Sequence, residues 1–156
     1  MSVSTAQWIL AAHRVVLDAS ALIAACISPN GAARELYSMA EQGRVILIMC
    51  DYTIHEVTST LERKNYIVPL TWLEISLRNL KYHHVPNPLP DDVRNNLSLV
   101  RDRDDVPYLL LARDHDASCI VSHDKDLLDL GHVTFGDIQI PIMNPGDFLQ
   151  MMRAAF

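Results

Sequence analysis

The sequence predicts an α/β fold: a three-layer α/β/α arrangement with a central, mainly parallel sheet of four to five strands. Two observations lead there. The strand-like runs "RVVLD" (14–18), "RVILIMC" (44–50), "ASCIVSHD" (117–124) and "IQIPIM" (138–143) are apolar almost throughout, as strands covered on both faces are. Helix-patterned segments separate them, which gives the βαβ rhythm of a parallel sheet.

Taken in order, residues 1–13 read as a lead-in or short helix docked through Trp8 and Ile9, and 14–156 as a single domain, with no internal repeat or linker. "RVVLD" is the first strand. "ASALIAACIS" (19–28) is a helix that stops near Pro29-Asn30-Gly31. "AARELYSMAEQG" (32–43) spaces Ala33, Leu36, Tyr37 and Ala40 on one helical face, with Gly43 as its stop. "RVILIMC" is the second strand. "DYTIHEVTSTLERK" (51–64) starts a helix at Asp51 with an apolar row through Ile54, Val57 and Leu61.

"PLTWLEISLRNL" (69–80) is a helix with Pro69 in its first turn, "YHHVP" (82–86) a short strand, "VPNPLPDD" (85–92) a loop and "DDVRNNLSLV" (91–100) a weaker helix. "VPYLLLA" (106–112) is a buried helix. The strand "ASCIVSHD" follows it, then the short helix "KDLLDL" (125–130), the strand "IQIPIM" and a closing helix beginning at Asn144 or Pro145.

Composition bounds the function. With 49% hydrophobic residues the chain is globular. A net charge of −6 excludes a generally basic nucleic-acid coat but leaves room for local basic patches. Cys26, Cys50 and Cys119 are scattered and show no CxxC spacing, which points to buried thiols in a reducing cytoplasm. The N-terminal apolar run is too short to span a bilayer and has no basic lead, so no membrane role is expected.

The acids carry the chemistry. In open α/β sheets ligands sit outside the carboxyl ends of the strands. Asp18 ends the first strand, Asp124 follows the strand "CIVSH", Asp105 starts the helix leading into that strand, and Glu56 lies in the helix after the second strand. Carboxylates brought to one edge repel and lose hydration, and a divalent cation relieves both costs. All-oxygen ligation suits Mg²⁺ or Mn²⁺, as one or two ions. Each acid taken singly is also a fitting residue for a plainer role: Asp18, Asp105 and Asp124 as helix N-caps, and Glu56, which points away from its helix's apolar row, as a solvated surface charge.

The stretches "VVLDASALIAA", "HEVTSTLERK", "RDRDDVPYLLLA", "IVSHDKDLLDL" and "IPIMNPGDFL" occur in an order and spacing that resembles the PIN-domain ribonucleases, especially the VapC-like branch of toxins from toxin–antitoxin pairs. The resemblance runs from about Arg14 to Phe148. It implies a PIN-like fold and an acidic quartet at Asp18, Glu56, Asp105 and Asp124 that is both catalytic and metal-binding. Asp105 is the third member because it stands seven residues before Ala112. Ser20, Ser122, Asp102, Asp104 and Asp126 become outer, positioning candidates, and Arg34, Arg101, Arg103 and Lys125 candidate contacts to the RNA backbone. His123 departs from the family, which often has glycine there. The activity implied is Mg²⁺- or Mn²⁺-dependent endoribonuclease cleavage leaving 5′-phosphate and 3′-hydroxyl ends. The implied partners are single-stranded RNA, a cognate antitoxin and a second copy of the chain.

Other constellations are weaker. "HEVTS" lacks the second histidine of HExxH, and His83-His84 would face opposite sides of a strand. No GxxxxGK[ST], GxGxxG or GxSxG occurs. Met151 and Met152 read as core or dimer packing. Two alternatives stand beside the nuclease reading: a PIN fold kept as a non-catalytic scaffold, and a Mg²⁺-binding phospho-receiver module, which also gathers acids at strand ends.

Overall fold

The structure, a computed structural model, describes residues 13–154. The lead-in expected over 1–13, with Trp8 and Ile9, lies outside the described residues apart from His13. The strands are β1 (His13–Leu17), β2 (Val45–Met49), β3 (His83–His84), β4 (Cys119–Val121), β5 (His132–Phe135) and β6 (Ile138–Met143). The α-helices are α1 (Ala19–Ile27), α2 (Ala32–Glu41), α3 (Asp51–Arg63), α4 (Ile67–Asn79), α5 (Pro90–Arg94), α6 (Val106–Asp114), α7 (Lys125–Leu130) and α8 (Pro145–Ala154), with 3₁₀ turns at Leu97–Leu99 and Arg103–Asp105. Among the described residues no helix is long and apolar enough to cross a membrane.

The strands form one six-stranded sheet in the order β3-β2-β1-β4-β6-β5. Every pairing is parallel except the β5–β6 hairpin. β1 is central: Val15 stands beside Leu47 of β2 and Cys119 of β4, and Val16 beside Ile48 and Ile120. The chain fills one side of β1 with β2 and β3, then crosses to the other side with β4 and β6. That reversal opens a crevice at the carboxyl ends of β1 and β4. The order differs from the 2-1-3-4-5 arrangement of doubly wound receivers, so the phospho-receiver alternative loses its architecture.

Successive strand residues point to opposite faces, and the core divides accordingly. Val15, Leu17, Leu47, Met49 and Val121 pack with Leu22, Leu36, Tyr37, Leu61, Leu73 and Phe148 from the helix layer α1–α4 and α8. Val16, Ile48, Ile120 and Ile142 pack with Leu109, Leu110 and Leu127 from α6 and α7. The near-continuous apolar strands of the sequence are the consequence of this double coverage.

The helix ends follow local chemistry. α2 stops at Gly43, whose φ of 76° is the left-handed conformation glycine adopts without strain. Pro107 sits in the first turn of α6, where its missing N–H costs nothing.

Two expectations need correction. The helix expected over 91–100 begins at Pro90, inside the expected loop, and ends at Arg94. Asn96 stops it, because its side-chain amide donates to the Asp92 carbonyl at 2.7 Å and to the Asp92 carboxylate at 3.1 Å. That side chain competes with continued helix. The sheet also has a sixth strand that the sequence reading passed over. β5 pairs with β6 from Phe135↔Ile138 to His132↔Pro141 around a two-residue turn, Gly136-Asp137. Gly136, at a φ of 61°, takes the turn position where hairpins favour glycine.

Leu17, wholly buried on the central strand, tests this packing. Leu17→Ala is expected to lower stability by about 3 kcal/mol and the midpoint of thermal unfolding by roughly 9 °C, read by urea and thermal melts. A loss below about 1 kcal/mol is incompatible with a close-packed site.

Candidate active site

Asp18 leaves β1 directly into the first turn of α1, and its amide still donates to the Val121 carbonyl of β4 at 3.2 Å. Its carboxylate is 2% exposed and fully held. One oxygen accepts from the Ala21 amide at 2.9 Å and from Ser20 Oγ at 2.7 Å. The other accepts from Ser122 Oγ at 2.5 Å. The two serines tie this carboxylate to the loop after β4: Ser122 Oγ accepts from the Asp124 amide at 2.8 Å, and Ser20 Oγ from the His123 amide at 2.9 Å. The exposed His123 therefore enters the site through its backbone N–H.

Asp124 caps α7 by accepting from the Asp126 amide at 2.8 Å. Asp102 caps the 3₁₀ turn by accepting from the Asp104 amide at 2.9 Å. Asp105 occupies the N-cap position of α6, but its side chain makes no cap hydrogen bond. It is 6% exposed, and its Oδ2 is buried with no hydrogen-bond partner. The capping role thus holds for Asp18 and Asp124 and fails for Asp105. A buried, unpartnered carboxylate oxygen is expensive and marks a place where something else must supply the interaction.

Electrostatics give the same picture. Burial pushes the Asp105 carboxyl up to about 8, and the neighbouring Asp124, Asp102 and Asp18 carboxylates add to the rise. Burial raises Asp18 to about 6 despite the opposing bonds from Ser122, Ala21 and Ser20. Oxygens of Asp102, Asp105 and Asp126 come within 4.8 Å of one another, the one such acidic group among the described residues. Asp102 and Asp126, expected as outer residues, therefore share one group of oxygens with Asp105.

Glu56 is half-buried and lies outside that group. It accepts from the Tyr108 hydroxyl at 2.6 Å. Tyr108 is 2% exposed, and burial followed by Glu56 holds its hydroxyl far above the usual tyrosine range. The Tyr108 ring packs against Tyr52, with centroids 5.8 Å apart. The sequence reading treated Tyr108 as core. The available signal was a phenol inside "YLLLA", because a buried tyrosine hydroxyl needs a polar partner.

The basic candidates separate. Arg101 pairs with Asp126 at 2.7 Å and lies 3.8 Å from Asp129, at the edge of the acid group. Lys125 is exposed in the first turn of α7 and Arg103 exposed in the 3₁₀ turn before α6. Arg34 is a correction. It donates to the Ala25 and Cys26 carbonyls at 2.6 and 3.3 Å and lies 3.7 Å over the Trp72 ring. It closes the C-terminus of α1, about 13 Å along that helix from Asp18 at 1.5 Å per residue. Among the described residues no histidine or cysteine joins the acid group, so its donors are all oxygens.

The family model described as PIN domain matches residues 14–126. Among solved structures the chain is similar to PAE2754 from Pyrobaculum aerophilum, with 21% identity over 90% of each chain and a TM-score of 0.60. It is also similar to VapC20 from Mycobacterium tuberculosis, a sarcin–ricin loop cleaving toxin, with 14% identity over 75% of this chain and 95% of that one and a TM-score of 0.54. At these identities the likeness concerns the fold. No curated protein matches the chain.

Asp18 and Asp105 bind protons more tightly folded than unfolded, rising from 3.8 to about 6 and about 8. The native state then holds the extra protons, so stability from these groups is present at low pH and falls as pH rises through both values. In EDTA the melting midpoint is expected to decline between about pH 4 and about pH 8, most steeply below about pH 6 where both groups contribute. Asp105→Asn should flatten that decline and raise the midpoint at pH 8 by on the order of 3 °C. An unchanged slope in Asp105→Asn rules this electrostatic account out.

Proposed function

The chain belongs to the PIN domain family, and from that membership we propose that it is a metal-dependent endoribonuclease cutting phosphodiester bonds of single-stranded RNA. The observation that carries the reading is the buried, unpartnered Oδ2 of Asp105, on a carboxyl that shares a group of oxygens with Asp102 and Asp126 and feels the charges of Asp124, Asp102 and Asp18. Three or more mutually repelling acids with a spare buried oxygen fit a hard divalent cation better than any group in the chain. Mg²⁺ or Mn²⁺ would be held around Asp105 by the expected Asp18 and Asp124 together with Asp102 and Asp126, whose oxygens form one group with Asp105, and Glu56, the fourth expected acid, borders the site through Tyr108. Bound there, one or two such ions would supply an activated water and neutralise charge on the scissile phosphate.

The chain's own groups prepare that site. Ser20, Ser122 and the Ala21 amide fix both Asp18 oxygens, so this ligand needs no reorganisation. Ser122 also sets the start of the Asp124 loop through the Asp124 amide. Tyr108 orients Glu56 by donating to it, and burial keeps that phenol protonated. Burial and the neighbouring carboxylates favour the protonated form of Asp105, so ion binding would compete with that proton. Arg101, Arg103 and Lys125 remain the candidates for the RNA backbone. An unpaired strand is favoured because only a flexible backbone bends a phosphate into a recessed acid group.

The toxin branch, an antitoxin partner and 5′-phosphate products enter this proposal as what the motif resemblance implies; the sarcin–ricin loop cleaving toxin shares the fold. Ile67 and Val68 at the start of α4, 74% and 79% exposed, offer an apolar surface for a protein partner or a second copy.

RNA cleavage is expected to require Mg²⁺ or Mn²⁺ and to stop in EDTA. Asp18→Asn and Asp105→Asn should each lower kcat by about a hundredfold or more, and Ser122→Ala by about tenfold through ligand misplacement. A gel assay on defined RNAs reads all four. Cleavage that persists in EDTA, or in Asp105→Asn, rejects the metal-centred reading. A protein that binds metal yet leaves every RNA intact is the scaffold alternative.

A further inference from the structure

A cavity of about 320 Å³ opens at the 3₁₀ turn that leads into Asp105, lined in part by Tyr52, Asn87, Arg94, Arg103, Asp104 and Pro107. Its lining residue Asp104 directly precedes Asp105, so the two share a peptide bond, with Cα atoms about 3.8 Å apart. Its floor is fixed. The Tyr52 hydroxyl donates to the Asp104 carbonyl at 2.9 Å, and the Tyr52 amide donates to Asn87 Oδ1 at 2.9 Å. The Tyr52 ring leans on Tyr108, the residue that holds Glu56.

The chemistry of the lining is unusual for a chain of net charge −6. Asn87 spends its oxygen on Tyr52, which leaves its NH₂ as a donor. Asp104 is exposed and offers a carboxylate acceptor. Arg94 pairs with Asp91 one turn away on its own short helix, with both side chains largely exposed, a contact of little energy. No ion pair involves Arg103 among the described residues. The cavity therefore presents an aromatic ring, a donor, an acceptor and two cations, in a volume typical of small-molecule sites.

We propose that this cavity receives one unpaired base of the RNA strand next to the phosphate that is cut, with the base stacked on Tyr52 and the flanking phosphates on Arg103 and Arg94. The strand's identity as RNA rests on the nuclease reading above; the cavity's chemistry does not. The base edge meets the Asn87 NH₂ and the Asp104 carboxylate. Adenine, guanine and cytosine carry an exocyclic amine that donates to a carboxylate. Uracil has no exocyclic amine; its one donor on that edge, N3–H, lies between two carbonyl oxygens that a carboxylate repels. The site thus favours an amino-bearing base over uracil.

The test is fluorescence anisotropy of the full chain in EDTA, where binding is read without cleavage, on labelled oligouridylate and on the same strand with one adenine, guanine or cytosine. Tyr52→Leu and Arg103→Ala should each weaken binding at least about fivefold. The single amino-bearing base should tighten binding to the native chain and not to Asp104→Ala. If Tyr52→Leu melts early, the exposed Arg103→Ala and Asn87→Ala decide the matter. Variants that bind as the native chain does, or no measurable binding to any of these strands, overturn the proposal. Cleavage in Mg²⁺ without these binding contrasts overturns the cavity alone. Binding contrasts without cleavage support the cavity and overturn the nuclease reading.

Discussion

Carboxylates that repel one another are gathered where the sheet reverses its strand order, and the protein tolerates this by two unequal devices. Asp18 is stabilised from within: two serine hydroxyls and an amide satisfy both its oxygens. Asp105 is not. Its Oδ2 is left bare in the interior, and in the free protein a proton offsets part of the cost. The rest of the crevice follows from this contrast, because a fixed anion beside an unsatisfied one prepares a site that a cation completes.

The same constraint explains what surrounds the crevice. β1 and β4 must lie side by side, since Ser122 at the end of β4 bonds Asp18 at the end of β1. Their parallel register, Leu17 beside Val121, sets that approach. α6 then brings Asp105 and Tyr108 in from the opposite layer. A helix buried at every position from Val106 to Ala112 has little freedom to shift, so the position of Asp105 is set by packing rather than by its own bonds. The two aromatic hydroxyls, Tyr108 to Glu56 and Tyr52 to the Asp104 carbonyl, carry the same order outward from the acids to the neighbouring cavity.

Much of this was legible in the chain. The β-branched runs that became β1, β2 and β4, and the aspartates directly after them, are local signals, and local physics reads them. β5 was not read. "HVTF" holds the strand-favouring Val, Thr and Phe, but four residues between Gly131 and Gly136 are too short a run to announce a strand, and pairing with β6 makes it one. Arg34 is close to Asp18 in sequence, yet α1 and the turn after it carry it to the far end of that helix. Glu56 points away from its own helix's apolar row, which suggested solvent. The side chain in fact meets Tyr108, 52 positions later, and no periodicity within α3 could announce that partner.

By itself, the sequence determined the layer architecture and the aspartates that cap the helices after β1 and β4, because periodicity and capping act over a few residues. The tertiary structure alone decided which acid is left unsatisfied, which of Asp102, Asp105 and Asp126 come together, and that a cavity with an aromatic floor adjoins them. Those are questions of desolvation and of distance between segments remote in the chain, and both quantities exist only once the layers have closed on one another.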